Sequence, residues 1–364
     1  TTRIELSFMD IAALVSGGVD SSAMVHLLKE EGYTPTLFYI IITMEDEEGF
    51  WDCSYKEDIE IVMQIARQYG LKMEVVTLHQ EYWEKVITYH LDSVKKGLTP
   101  NPDMMCNKLI KFGVFDDKYG KNFNKISSGH YASTTQLSSG IYLSTARDKV
   151  KDQTYFLGQI TNYQLNKLMF PLGDLVKSKV REIASHAKLP SANRPDSQGI
   201  CFLGKINYRD FLKRFLGEKE GSIIELETGK VLGKHKGFWY HTIGQRQGLG
   251  LSQGPWFVID KNPDENLVYV SHGYDPEAQY GDEVFLKDFA YINPDVSPFN
   301  IHDIKYKIRH SPEFTSGRLI QDSGALYIKS DVKINGIAPG QFAVLYDQDE
   351  KICLGSGVIC HPPS

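Results

Sequence analysis

The segment Leu14-Val15-Ser16-Gly17-Gly18-Val19-Asp20-Ser21-Ser22 concentrates the residue types that hold a phosphate. Adjacent glycines let main-chain N–H groups approach an anion closely, and the hydroxyls of Ser16, Ser21 and Ser22 add donors. The segment follows a short apolar run and opens a helical pattern, so unpaired N–H groups and the helix dipole would add to that attraction. It is not the Walker loop, because no Lys-Ser/Thr pair ends it. It is not the dinucleotide fingerprint either, because the third glycine is missing. The plain alternative is a glycine turn with a serine N-cap; the full Ser-Gly-Gly-x-Asp-Ser string argues against it.

Thiols are the second chemistry. In Asn101-Pro102-Asp103-Met104-Met105-Cys106-Asn107 a turn enters a helix, which would place Asp103 and Cys106 on one face. A thiol near a helix N-terminus has a lowered pKa and is a competent nucleophile. An ionised Asp103 opposes that shift, so it reads better as a proton-transfer group than as a thiol activator. Cys201 lies in Asp196-Ser197-Gln198-Gly199-Ile200-Cys201-Phe202, a loop leading into an apolar step. A single cysteine is ordinarily packing, and Cys53, Cys353 and Cys360 are read that way. There is no Cys-x-x-Cys and no His/Cys group at zinc spacing, so no metal site is expected.

These residues need a frame. Apolar strands at Ile11–Val15, Thr36–Ile42, Lys72–Leu78 and Lys125–Ser128 alternate with helical patterns at 21–31, 56–69 and 80–96. Such alternation predicts an α/β fold with a doubly wound parallel sheet, whose ligands bind at the strands' carboxyl ends. From about Gly221 the pattern changes to short β-like runs at 237–240, 256–260, 267–271 and 283–286. A second set follows at 305–308, 324–328, 340–346 and 352–359. The expected division is a catalytic domain over 1–205, a small central β-rich domain over 206–285 and a C-terminal β-barrel over 286–364.

Composition agrees with a globular protein: of 364 residues, 41% are hydrophobic and 24% charged. No apolar run approaches the length that spans a bilayer, the first ten residues do not read as a secretory signal, and five cysteines cannot form a disulfide scaffold. A cytoplasmic protein with no membrane partner is the expectation. The net charge is −6, but it divides as −9 over 1–100, +8 over 101–220 and −5 over 221–364. A local polyanion site and an ordinary solvated surface both fit that division.

Order narrows the reading. The glycine loop, Asn-Pro-Asp-x-x-Cys-Asn, Gly129-His130-Tyr131, Lys151-Asp152-Gln153-Thr154-Tyr155-Phe156-Leu157, Asp-Ser-Gln-Gly-Ile-Cys-Phe and Thr242-Ile-Gly-Gln-Arg-Gln-Gly-Leu-Gly250 occur in sequence. The first resembles the signature of the PP-loop ATP pyrophosphatases. The full series resembles the bacterial tRNA-specific 2-thiouridylases over about residues 9–360.

That resemblance implies an adenine-nucleotide alpha-hydrolase-like fold and a cytoplasmic transferase. The enzyme would use ATP, with magnesium accompanying the nucleotide, to replace the position-2 oxygen of the tRNA wobble uridine by sulfur. A persulfide sulfur-donor protein would be its second partner. The resemblance assigns residues 14–22 to ATP, with Ile40 and Gly129 also on the nucleotide. It makes Cys201 the persulfide carrier and Cys106 the second thiol, forming a transient disulfide with Cys201. Asn101, Pro102 and Asp103 would meet the target base; Lys151, Asp152, Gln153, Arg309 and His310 would meet the tRNA.

The chain departs from the family's pattern twice: Ile40 stands where Met is usual, and the acidic stretch 44–53 matches poorly. The alternatives are another PP-loop adenylating ligase, which needs no thiol pair, and a catalytically silent RNA-binding module. An iron–sulfur thiolase would want three clustered cysteines.

Overall fold

Ile11–Leu14 (β1) is apolar at every position and wholly buried, as a strand covered on both faces must be. Its side chains divide with period two. Ala12 and Leu14 enter one core, while Ile11 and Ala13 enter the other. In this computed structural model, which describes residues 9–43, 55–196, 207–272, 280–293 and 303–363, that division organises the first domain.

Strands β2 (Thr36–Ile41) and β4 (Lys125–Ser128) flank β1 in parallel, and β3 (Met73–Thr77) pairs in parallel with β2. A hairpin, β5 (Ser133–Leu137) and β6 (Gly140–Ser144), precedes the two-residue edge strand β7 (Leu168–Met169). The sheet order is β3-β2-β1-β4-β7. Helix α1 (Val19–Glu30) and helix α2 (Tyr55–Tyr69) cover the Ile11 face. The Leu14 face is covered by α3, comprising His79–Tyr82, a π-helical Trp83–Ile87 and Thr88–Lys95. It is also covered by α4, comprising Pro102–Cys106, a π-helical Asn107–Val114 and Phe115–Lys118. The doubly wound parallel sheet is therefore present.

Three shorter helices complete the domain and its exit: α5 (Asn162–Lys167), α6 (Lys177–His186) and α7 (Tyr208–Leu216). Thr161 and Gln164 form a capping box at the start of α5. The Gln164 amide also donates to the Lys108 and Phe112 carbonyls, at 2.8 and 3.0 Å, which the wide π turn of α4 leaves available.

The central domain is a four-stranded sheet of β8 (Gly221–Glu225), β9 (Val231–His235), β10 (Trp256–Asn262) and β11 (Leu267–His272). The strand expected at 237–240 is instead a 3-10 turn, Phe238–Tyr240. Gly237, at φ +146, turns the chain there. The last domain is a closed antiparallel barrel of β12 (Tyr280–Tyr291), β13 (Asp303–Lys307), β14 (Thr315–Asp322), β15 (Ala325–Asn335), β16 (Phe342–Tyr346) and β17 (Cys353–Ile359). The boundary expected at 285/286 falls inside β12, which belongs entirely to the barrel. Phe342, Val344 and Tyr346 of the barrel join the Leu14-side core, so barrel and sheet are packed together. No helix among the described residues is long and apolar enough to cross a membrane.

Candidate active site

Val15 continues β1 by donating to the Phe38 carbonyl, and the chain then leaves the sheet. Gly17 takes φ +74 with its α-carbon hard against α2; a Cβ there would lie 3.0 Å from the Asp58 Cα and carbonyl oxygen. Gly18 is the N-cap of α1, and no side chain caps the helix. Ser21 and Ser22 instead donate to the Gly18 carbonyl at 3.1 and 2.8 Å. Ser21 Oγ accepts from the Ser16 N–H at 3.1 Å, which folds the loop over the helix start. The serine N-cap alternative is thus absent, and the first N–H groups of α1 have no side-chain partner at the cap. Gly129, at the end of β4, closes the site from below, since a Cβ there would meet the Ser21 nitrogen at 3.0 Å.

Distant residues supply the charge. Lys177, the first residue of α6, reaches both Asp20 oxygens at 2.6 and 2.8 Å and Asp196 at 3.0 Å. Lys151 and Arg181 meet the same Asp196 at 2.8 and 2.5 Å. Burial alone would raise the Asp196 pKa, but hydrogen bonds and charge from Lys151 and Lys177 hold it well below the usual carboxylate range. Arg194 donates to the Gly17 carbonyl at 3.0 Å and pairs with Asp58 at 2.6 Å, fixing the loop's position. The Tyr131 hydroxyl donates to Asp20 at 2.8 Å; burial, then the Asp20 charge, keep that hydroxyl protonated.

Of the residues singled out in the sequence, Leu14 to Ser22, Gly129 and the 151–153 motif come together here. Gln153 accepts from the Tyr131 N–H at 2.9 Å and donates its own N–H to the Tyr131 carbonyl at 2.8 Å. His130 bonds Ser128 at 2.6 Å, and burial followed by the Lys111 charge pushes its pKa down to about 3, so it is neutral. Ile40 is partly buried in β2 against the Leu14-side core, an apolar wall as its type requires.

The second motif lies on α4. Asn101 is the N-cap, accepting from the Met104 N–H at 3.1 Å, and Pro102 occupies the first turn. Asp103 is half-buried; Cys106, one turn on, is only 1% exposed. The barrel braces this turn: Thr99 donates to the Pro339 carbonyl at 2.8 Å and Gln341 to the Pro100 carbonyl at 3.3 Å. Cys201, like Cys53, lies outside the described residues. Burial pushes the Cys353 and Cys360 thiols up, which suits packing rather than chemistry.

Asp152, which the resemblance implied to meet the tRNA, has its side chain turned inward. Asp152 is 3% exposed, and its carboxylate accepts from the Ala146 N–H at 2.9 Å and the Thr154 hydroxyl at 2.7 Å. Lys307 of the barrel approaches it at 3.7 Å. Arg309 and His310 are exposed, and His310 Nε2 lies 2.9 Å from the Asp152 carbonyl, so this pair borders the 151–153 motif. Lys177, Arg181, Arg194 and Tyr131's hydroxyl were not foreseen as site groups. Only the basic balance of 101–220 hinted at the three cations.

Comparison with known proteins matches the chain along nearly its whole length. Residues 9–205 match the domain family described as tRNA methyl transferase HUP domain. Residues 209–272 match tRNA methyl transferase PRC-barrel domain, and 282–359 match Aminomethyltransferase beta-barrel domain. Among full-length relatives, "tRNA-specific 2-thiouridylase MnmA" of Parabacteroides distasonis is 62% identical, covering 96% of this chain and 99% of that protein. "tRNA-specific 2-thiouridylase MnmA 1" of Bacteroides thetaiotaomicron is 61% identical with the same coverage. The Porphyromonas gingivalis protein of the first name is 58% identical, again over 96% and 99%. With all three domains matched in order and identity of this level from end to end, the chain belongs to the tRNA-specific 2-thiouridylase family.

Proposed function

We propose that the protein catalyses ATP-dependent 2-thiolation of the wobble uridine of tRNA, in the cytoplasm, drawing sulfur from a persulfide-bearing donor protein. The observation that carries the reading is the phosphate loop: an uncapped helix start, two glycines and three serine hydroxyls beside Asp20, in a chain of this family. The loop N–H groups and the exposed Ser16 hydroxyl hold the β- and γ-phosphates, while Ser21 and Ser22 brace the loop through the Gly18 carbonyl and Ile40 and Gly129 border the nucleotide. Magnesium would accompany those phosphates, and Asp20 is the one carboxylate within residues 14–22.

A uracil carbonyl oxygen is a poor leaving group. Its attack on the α-phosphate forms an O–P bond and expels pyrophosphate, which the loop retains. The terminal sulfur of a Cys201 persulfide then adds to C2, and the C–O bond breaks with release of AMP. The Cys106 thiolate attacks the Cys201 sulfur, breaking the S–S bond to leave thiouridine and a Cys106–Cys201 disulfide. A pair of external thiols supplies the two electrons that reset it and leaves as a disulfide. Asp103, one turn from Cys106, would take the thiol proton.

Lys151 with the main chain of 152–153, and Arg309 with His310, lie on adjoining parts of the two domains, where they would grip the RNA backbone. The base must leave its stack to reach a thiol as deep as that of Cys106. Release of AMP and pyrophosphate that requires both ATP and tRNA tests the proposal. Equal release without tRNA would point to another adenylating ligase.

A further inference from the structure

Residues 14–22 contain no lysine or arginine, yet pyrophosphate leaving such a loop carries several negative charges. Counter-charge must come from elsewhere in the fold. Among the described residues four cations stand around the loop, and their partners separate them. Arg194 is committed to the Gly17 carbonyl and Asp58, so it shapes the loop. Lys151 and Arg181 meet Asp196, with no contact to the loop itself. Lys177 alone of the four touches the loop's carboxylate, at 2.6 and 2.8 Å from the two Asp20 oxygens.

We infer that Lys177 is the phosphate-binding cation of this site, exchanging Asp20 for the phosphate oxygens when nucleotide or pyrophosphate occupies the loop. This rests on the proposed ATP chemistry and adds a residue to it. Three features permit the exchange. The main chain of Lys177 is held by Asp148, which accepts its N–H at 2.8 Å, and Val180 and Ala184 bury the inner face of α6. The anchor is therefore fixed and only the side chain need move. Neither carboxylate is abandoned: Asp20 keeps the Tyr131 hydroxyl, and Asp196 keeps Lys151 and Arg181. The Lys177 side chain is 13% exposed, so its charge is poorly screened and gains more from a multiply charged anion than from one carboxylate.

The rival role is a prop that merely holds Asp20 in place. Calorimetric titration of the full chain with magnesium-ATP, and with inorganic pyrophosphate in the absence of magnesium, separates the two. Lys177→Met should weaken both ligands about 10- to 100-fold, the loss of one charge-assisted hydrogen bond, and Lys177→Arg should recover most of it. Asp20→Asn removes the competitor for the lysine, so magnesium-free pyrophosphate should bind more tightly. Adding Lys177→Met to Asp20→Asn should abolish that gain. Unchanged tRNA affinity and circular dichroism at the assay temperature certify the fold of each variant.

Binding by Lys177→Met within twofold of wild type overturns the inference, as does a double variant equal to Asp20→Asn alone. If the wild type binds nucleotide but makes no thiouridine, the proposed reaction fails while Lys177 keeps its role. If it binds neither ligand, both fail.

Discussion

Replacing Lys307 by methionine should destabilise the seam between barrel and sheet, because it strands a buried carboxylate. The Lys307 side chain is 1% exposed and that of Asp152 3%. Nζ also lies 3.9 Å from the Phe314 ring centroid, so methionine can fill the space but not the charge. Breaking a buried pair by removing one partner costs about 3–5 kcal/mol. The pair is 3.7 Å apart and Asp152 keeps two hydrogen bonds, which puts the loss at the lower end, about 3 kcal/mol. The pH dependence has a definite sign. Burial raises the Asp152 pKa above its unfolded value, despite the hydrogen bonds and Lys307 charge that oppose the rise. Its ionised form therefore costs stability as pH climbs through the raised native value, and removing the lysine enlarges that cost. Denaturant unfolding should show a deficit that is largest near neutrality and shrinks as pH falls through the raised native value, and Asp152→Asn in the same chain should restore at least half of it. A Lys307→Met protein within about 0.5 kcal/mol of wild type at neutral pH would refute the reasoning.

Gly17→Ala forces a left-handed backbone and a Cβ into the Asp58 main chain, so it should cost about 1–3 kcal/mol and weaken pyrophosphate binding. Gly18→Ala, at φ −79 with only Ser16 Oγ at 3.4 Å, should unfold like the wild type. Burial pushes Lys261 down to about 8, below its unfolded value, so stability should rise as pH passes from about 8 to about 10.4. Lys261→Met should flatten that rise in denaturant unfolding; an unchanged profile would contradict it. Lys151→Glu should lower tRNA affinity and reduce the salt slope by at least about one, whereas a slope equal to wild type would make the basic segment a solvated surface.

Much of the first domain could be read from residue order because its strands are short, apolar and bounded by glycines. Alternation at Ile11 to Leu14 follows directly from burial on both faces. The β5/β6 hairpin was missed because Thr134, Thr135 and Gln136 carry no apolar pattern. The π turn after Cys106 has no local signature; its carbonyls are satisfied by Gln164, more than fifty residues on. The shape of the loop at 14–22 was legible because its glycines and serines act locally. Lys177 was not, since nothing within 157 residues of Asp20 marks it as that carboxylate's partner. Asp152 shows the converse: a polar residue inside a recognisable motif turned inward to hold two domains together.

The central claim is a thiol pair working behind an adenylating loop. Mass spectrometry of tRNA nucleosides after incubation with ATP, magnesium and a persulfide source tests it most directly, using wild type, Cys201→Ser and Cys106→Ser. The account predicts 2-thiouridine only with wild type, while Cys201→Ser still releases pyrophosphate in the presence of tRNA and Cys106→Ser still takes up sulfur. Thiouridine formed at the normal rate by Cys201→Ser would contradict it.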